Sequence, residues 1–90
     1  MTDAETIAAN DLLRTELKGG IVLFSPAVWE LPAEIRGRML YRLSLYKTFD
    51  DDSLHDRGVF VFAGYSVFWE ISEFAGQRSI SLLLKDDLLI

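Results

Sequence analysis

The sequence predicts an α+β fold, a single two-layer domain over residues 1–90 in the order α-β-α-β-β-β. Two helices are expected to cover one face of an antiparallel sheet. Three observations predict this. Ninety residues suffice for one core of two layers. Two stretches in the first half repeat apolar residues at helical spacing. Three stretches after Gly58 alternate with a period of two, joined by short glycine-containing turns.

Thr2-Asp3-Ala4-Glu5 has the spacing of a capping box, in which the Thr2 hydroxyl accepts the third helical amide and Glu5 reaches back. A helix from Asp3 to Glu16 follows. Ala8, Ala9, Leu12, Leu13 and Leu17 fall on one side, and Ile7, Asn10 and Arg14 on another. Gly19-Gly20 is expected to end it in the left-handed conformation. Ile21-Val22-Leu23-Phe24 is a short apolar strand bounded by Gly20 and Ser25-Pro26. A loop with Val28 and Trp29 leads to Leu31-Pro32, and proline suits the first turn of a second helix over 32–46. Ile35, Met39, Leu40, Leu43 and Tyr46 form its inward stripe. Gly37 either weakens this helix or marks a close helix approach. Tyr41 and Leu45 lie on its far side beside Arg38 and Arg42, as candidate partner contacts.

Asp50-Asp51-Asp52-Ser53 propagates neither helix nor strand and reads as a solvated loop. Strand 59–63 puts Phe60 and Phe62 on one face, Val59 and Val61 on the other. Gly64-Tyr65 fits a hairpin turn. Strand 66–73 sets Val67, Trp69 and Ile71 against Ser66, Phe68, Glu70 and Ser72. After Ala75-Gly76-Gln77, a last strand over 78–85 alternates Ile80, Leu82 and Leu84 with Ser79, Ser81, Leu83 and Lys85. The strand 21–24 is expected at an edge of this meander. Helices cover the more apolar face. The other, with Val59, Val61, Phe68 and Leu83, is where a homodimer or a partner is expected to pack. Leu88-Leu89-Ile90 is an apolar tail expected to dock or to meet a partner.

Charge divides the chain. Residues 1–48 hold six Lys/Arg and six Asp/Glu; residues 49–90 hold three and eight, so the whole net charge of −5 lies in the second part. Such a field disfavours nucleic acid and favours a protein with a basic surface. There is no cysteine for a disulfide framework or thiolate metal site. The acidic start, without a basic-then-apolar leader, and the lack of a spanning apolar run predict a cytoplasmic chain with no membrane partner.

His55, the single histidine, precedes Asp56, and an imidazole oriented by a carboxylate can act as a general base. No nucleophile pattern accompanies the pair. The aspartates 50–52, His55 and Asp56 lack the spacing of a calcium loop. No enzyme, cofactor or metal is therefore expected; His55 and Asp56 read as structural polar residues fixing the turn before Gly58. The carboxylates Asp50, Asp51, Asp52, Glu70, Glu73, Asp86 and Asp87 are instead candidates for partner binding, since carboxylates on a rigid surface imitate phosphates.

Asn10-Asp11-Leu12-Leu13-Arg14, His55-Asp56-Arg57-Gly58 and Phe68-Trp69-Glu70-Ile71 together resemble a family of small domains of unknown function from proteobacteria, phages and mobile elements. That family carries Asn-Asp-x-x-Arg in its first helix, Glu-His-Asp-x-Gly in a turn and Phe-Trp-Lys-Ile-Asp in a strand. Here the acidic loop is about two residues shorter. Leu54 replaces the glutamate, Glu70 the lysine and Ser72 the aspartate. The Asp-Pro segment before the last strand is absent. The resemblance covers nearly the whole chain and implies that Arg14 pairs with Asp56. With size and charge, its mobile-element setting implies a non-enzymatic, anti-CRISPR-like inhibitor that docks its acidic half on the basic, DNA-reading surface of a CRISPR effector subunit. The alternatives are a regulatory module that homodimerises through the open sheet face, and a weak metal-dependent hydrolase using His55 and Asp56.

Overall fold

A computed structural model describes residues 1–85 and Asp87. Among these the elements are α1 (Asp3–Glu16), β1 (Ile21–Phe24), α2 (Pro26–Trp29), α3 (Ala33–Ser44), β2 (Arg57–Phe62), β3 (Tyr65–Phe74) and β4 (Gln77–Leu84). The α+β class holds. Several details differ from expectation. Residues 26–29, expected as loop, form a helical turn: Ser25 Oγ accepts the Val28 N–H at 3.3 Å, and Pro26 fills the first helical position.

The sheet is also mixed rather than antiparallel, in the order β1-β4-β3-β2 with β1 parallel to β4. The cause lies in the connections. The helical crossover from β1 through α2 and α3 returns the chain to the end from which β1 started, so β2 runs parallel to β1. Two hairpins then reverse the chain twice, and β4 again runs parallel to β1. Gly20 permits the contact at this edge, since a Cβ there would lie 2.6 Å from the Arg78 carbonyl oxygen.

The capping box forms as expected, with Glu5 N–H donating to Thr2 Oγ1 at 3.2 Å and Thr2 N–H to Glu5 Oε1 at 3.2 Å. The left-handed residue that stops α1 is Leu17 (φ 57°), not Gly19 or Gly20; its N–H donates to the Leu13 carbonyl. The buried side of α1 is Asn10, Leu13 and Arg14, whereas Leu12 and Leu17 are 39% exposed. The polar side at Asn10 and Arg14 thus faces inward, and part of the leucine side faces out.

Strand faces follow the alternation. Phe60, Val67, Trp69, Ile71, Ile80, Leu82 and Leu84 point to the helices and meet Leu13, Val28, Met39 and Leu43 in one core. Both hairpins turn on an Ala-Gly pair with positive φ at each residue, Ala63-Gly64 (51°, 82°) and Ala75-Gly76 (52°, 81°). These are type I′ turns, whose twist matches that of the strands they join. Phe62 therefore pairs with Tyr65, and Phe74 with Gln77. The first turn lies one residue earlier than the Gly64-Tyr65 expected. A Cβ at Gly37 would touch nothing, so that glycine marks no close helix approach. Among the described residues no helix is long and apolar enough to cross a membrane.

Candidate functional site

The buried polar side of α1 and the turn 53–56 build a small cluster. His55 holds φ at 58°, unusual for a residue with a side chain. That conformation sends its ring back over Phe49, with centroids 3.9 Å apart and planes 10° from parallel. His55 Nδ1 lies 2.9 Å from Asp11 Oδ1, which also accepts from Arg14 Nη1 at 2.8 Å. Burial pushes the Asp11 carboxyl up, but the hydrogen bonds and charges of Arg14 and His55 outweigh it and hold its pKa below the ordinary value. The Arg14 guanidinium lies 5.0 Å from the Phe49 ring centre and 6.0 Å from that of Trp69. Asn10 completes the joint. Its Nδ2 donates to the Leu54 carbonyl at 2.9 Å, and its Oδ1 accepts from Arg78 of β4.

The expected pair of Arg14 with Asp56 is therefore not formed. Arg14 bonds to Asp11 one helical turn away, while among the described residues the Asp56 carboxylate reaches only Arg57, at 3.5 Å. The Asp56 backbone does fix the turn, as its carbonyl accepts the Ile71 N–H at 2.7 Å. His55 likewise pairs with Asp11 rather than Asp56, so the general-base pair of adjacent residues does not exist. In the sequence, Asp11 stands out only as part of the Asn10–Arg14 motif, without a role, and Phe49 is not singled out. The three-residue spacing of Asp11 and Arg14 was the available signal.

The carboxylates expected to bind a partner separate into groups. Asp50, Asp51 and Asp52 are exposed. Asp50 and Asp52, with Asp56, line a groove of about 450 Å³ bounded by Tyr46, Phe49 and Arg57. Glu70 stands opposite Arg57 on the neighbouring strand, and Glu73 opposite Arg78. Asp87 is turned inward: its carboxylate accepts from Ser25 Oγ at 2.6 Å, Leu84 N–H at 2.7 Å and Ala27 N–H at 3.4 Å. Burial pushes its pKa up, but these bonds outweigh that and hold it low. Asp86 and Leu88-Leu89-Ile90 lie outside the described residues. Among the described residues no three His, Asp or Glu side chains converge on a point that would hold a metal.

Among the described residues no element covers the sheet face away from the helices. Val59, Phe68 and Leu83 form one cross-strand row on it, and Arg57, Glu70, Ser81 and Leu23 the next. Val59 is 49% and Val61 67% exposed. A depression of about 450 Å³ is lined there by Val59, Phe68, Leu83, Arg57 and Glu70, with Tyr46, Gly58 and Trp69. Tyr46 and Arg57 also wall the acidic groove, so the apolar depression and that groove adjoin. Tyr41 (68% exposed) and Leu45 (46%) stand out on α3.

Searches against family models, curated proteins and solved structures found no match to this chain.

Proposed function

We propose that this chain is a non-enzymatic binding protein whose partner is another protein offering apolar and basic side chains together. One observation carries this. The apolar depression at Val59, Phe68 and Leu83 adjoins the acidic groove at Asp50, Asp52 and Asp56 across the shared walls Tyr46 and Arg57. A surface of that dual character suits a polypeptide segment better than a polynucleotide, which the carboxylates repel. The polar cluster at Asp11, Arg14 and His55 is a joint between helix and sheet in this reading. Within it Asp11 Oδ1 is taken up by Arg14 Nη1 and His55 Nδ1.

A CRISPR effector subunit with a basic DNA-reading surface is one such partner, and the inhibitor reading is the narrower form of the proposal. Support for it rests on Asp50, Asp51 and Asp52. Glu70 and Glu73 stand opposite arginines, and the Asp87 carboxylate is taken up by Ser25 and two backbone amides. Homodimerisation through that sheet face is a second reading, favoured by exposed Val59 and Val61 beside half-buried Phe68 and Leu83.

The test is retention of proteins from a bacterial lysate on the immobilised chain, beside two variants. Asp50, Asp51 and Asp52→Lys should lose the retained protein, and so should Phe68→Glu. Purified guide-loaded effector complexes probe the narrower form. Retention indifferent to both variants would overturn the proposal, and dimers in light scattering that Phe68→Glu dissolves would replace it with the second reading.

A further inference from the structure

One edge of the sheet gives the proposed binding function a mechanism, which rests on that function. β2 is the last strand of the order β1-β4-β3-β2 and has one neighbour. The Ile71 N–H donates to the Asp56 carbonyl at 2.7 Å. Residues of an antiparallel pair alternate between hydrogen-bonded and non-bonded positions. The register then places the ladder bonds at Gly58–Trp69, Phe60–Val67 and Phe62–Tyr65. The N–H and C=O groups of Arg57, Val59 and Val61 therefore point away from β3. Among the described residues nothing pairs with them.

Natural edges are usually blunted by lysine, proline, a bulge or brevity. β2 has none of these; the one charge it carries, Arg57, stands at its first residue and leaves Gly58 to Phe62 uncharged. Its six residues, Arg-Gly-Val-Phe-Val-Phe, pair with β3 in unbroken register. The opposite edge strand β1 is four residues long and is followed closely by Pro26. The edge that lacks protection is also the one beside the two adjoining depressions.

We infer that β2 is a template for strand addition: an extended segment of a partner protein, with alternating apolar side chains and a Lys or Arg at one end, pairs with its free edge. The outward groups of Arg57, Val59 and Val61 offer up to about six ladder bonds. Apolar side chains of the segment would lie beside Val59, Val61 and Phe68, and the cation would reach the groove at Asp50 and Asp52. Charge selects the occupant. A second copy carries the same net charge of −5 and the same carboxylates at Asp50 and Asp52, whereas a basic segment relieves the field.

The probe is a display library of random decapeptides selected on the full chain. Enriched sequences are then synthesised with fluorescein and measured by polarisation. They should alternate apolar residues and carry a terminal Lys or Arg. N-methylation at alternate backbone positions, and Val59→Pro in the chain, should each weaken binding roughly tenfold, the loss of one or two ladder bonds. The Val59 N–H points outward, so proline there spares the internal ladder. Should that variant fail to fold, Val59→Lys, an edge charge, serves the same purpose. Binding that ignores both changes but falls with Phe68→Glu overturns strand addition and leaves the binding reading standing. An absence of enriched peptides overturns strand addition. Dimers abolished by Val59→Pro replace the foreign segment with a second copy.

Discussion

Asp11 is the residue on which helix and loop meet. Its Oδ1 takes one hydrogen bond from Arg14 and one from His55, and their charges hold its carboxyl below the usual value of about 3.9 despite partial burial. A carboxyl whose folded pKa is depressed adds stability that is present above the unfolded pKa. That stability is lost as pH falls through the folded value. Asp11→Asn should therefore be less stable at neutral pH, by no more than about 1 kcal/mol because the side chain is 39% exposed and screened by solvent. The difference should close as pH drops below about 4. Urea midpoints of both proteins between pH 2 and pH 7 check this, and a constant gap would show that Asp11 acts through shape alone. Little of this joint was legible in the sequence. Asp11 and Arg14 sit one turn apart and could be paired on paper. The left-handed turn at His55 reverses its ring toward α1, and nothing in the local sequence announces that geometry.

Among the elements, strands were the most legible, because burial on one face enforces a period of two. Their ends were less so. Both hairpins place alanine where φ is positive, a conformation alanine tolerates poorly and asparagine accepts. That mismatch explains why the first turn was expected one residue late, and it leaves stability unclaimed. Ala63→Asn and Ala75→Asn should each stabilise the fold by roughly 0.5–1 kcal/mol, additively, as the turns lie at opposite ends of β3. Thermal unfolding of the two single variants and the double variant measures it. Unchanged or lower midpoints would mean that the alanine methyls make contacts worth more than the backbone strain. The same logic applies at Leu17, where a hydrophobic residue takes the place that glycine usually fills at the end of a helix. The four-residue α2 escaped notice because one turn has too little periodicity to read, although Ser25-Pro26 is a helix start in miniature.

At the scale of the molecule, the class was legible and the strand order was not. Composition and period identify two layers, but no local signal told whether 21–24 joins the meander beside β2 or β4, or in which direction. The close approach of Gly20 to Arg78, across 58 positions of sequence, is what that placement requires, and glycine permits it. The resulting order puts β3 and β4 in the middle and gives β2 one free side, which yields a signature in hydrogen exchange. Amides of β3 from Val67 to Ile71 should be protected, since β3 has a partner on both sides there. Along β2 protection should alternate: Gly58, Phe60 and Phe62 slow, Arg57, Val59 and Val61 fast, because alternate amides face away from β3. Exchange followed residue by residue by NMR reads this directly. Uniform protection from 57 to 62 at working concentration would mean that something already covers the edge, and dilution would then tell a second copy from the chain's own residues. Uniformly fast exchange would mean that β2 frays and is no rigid template. The alternating pattern, turning uniform when a strand-forming peptide is added, is the outcome that a free, ordered edge requires.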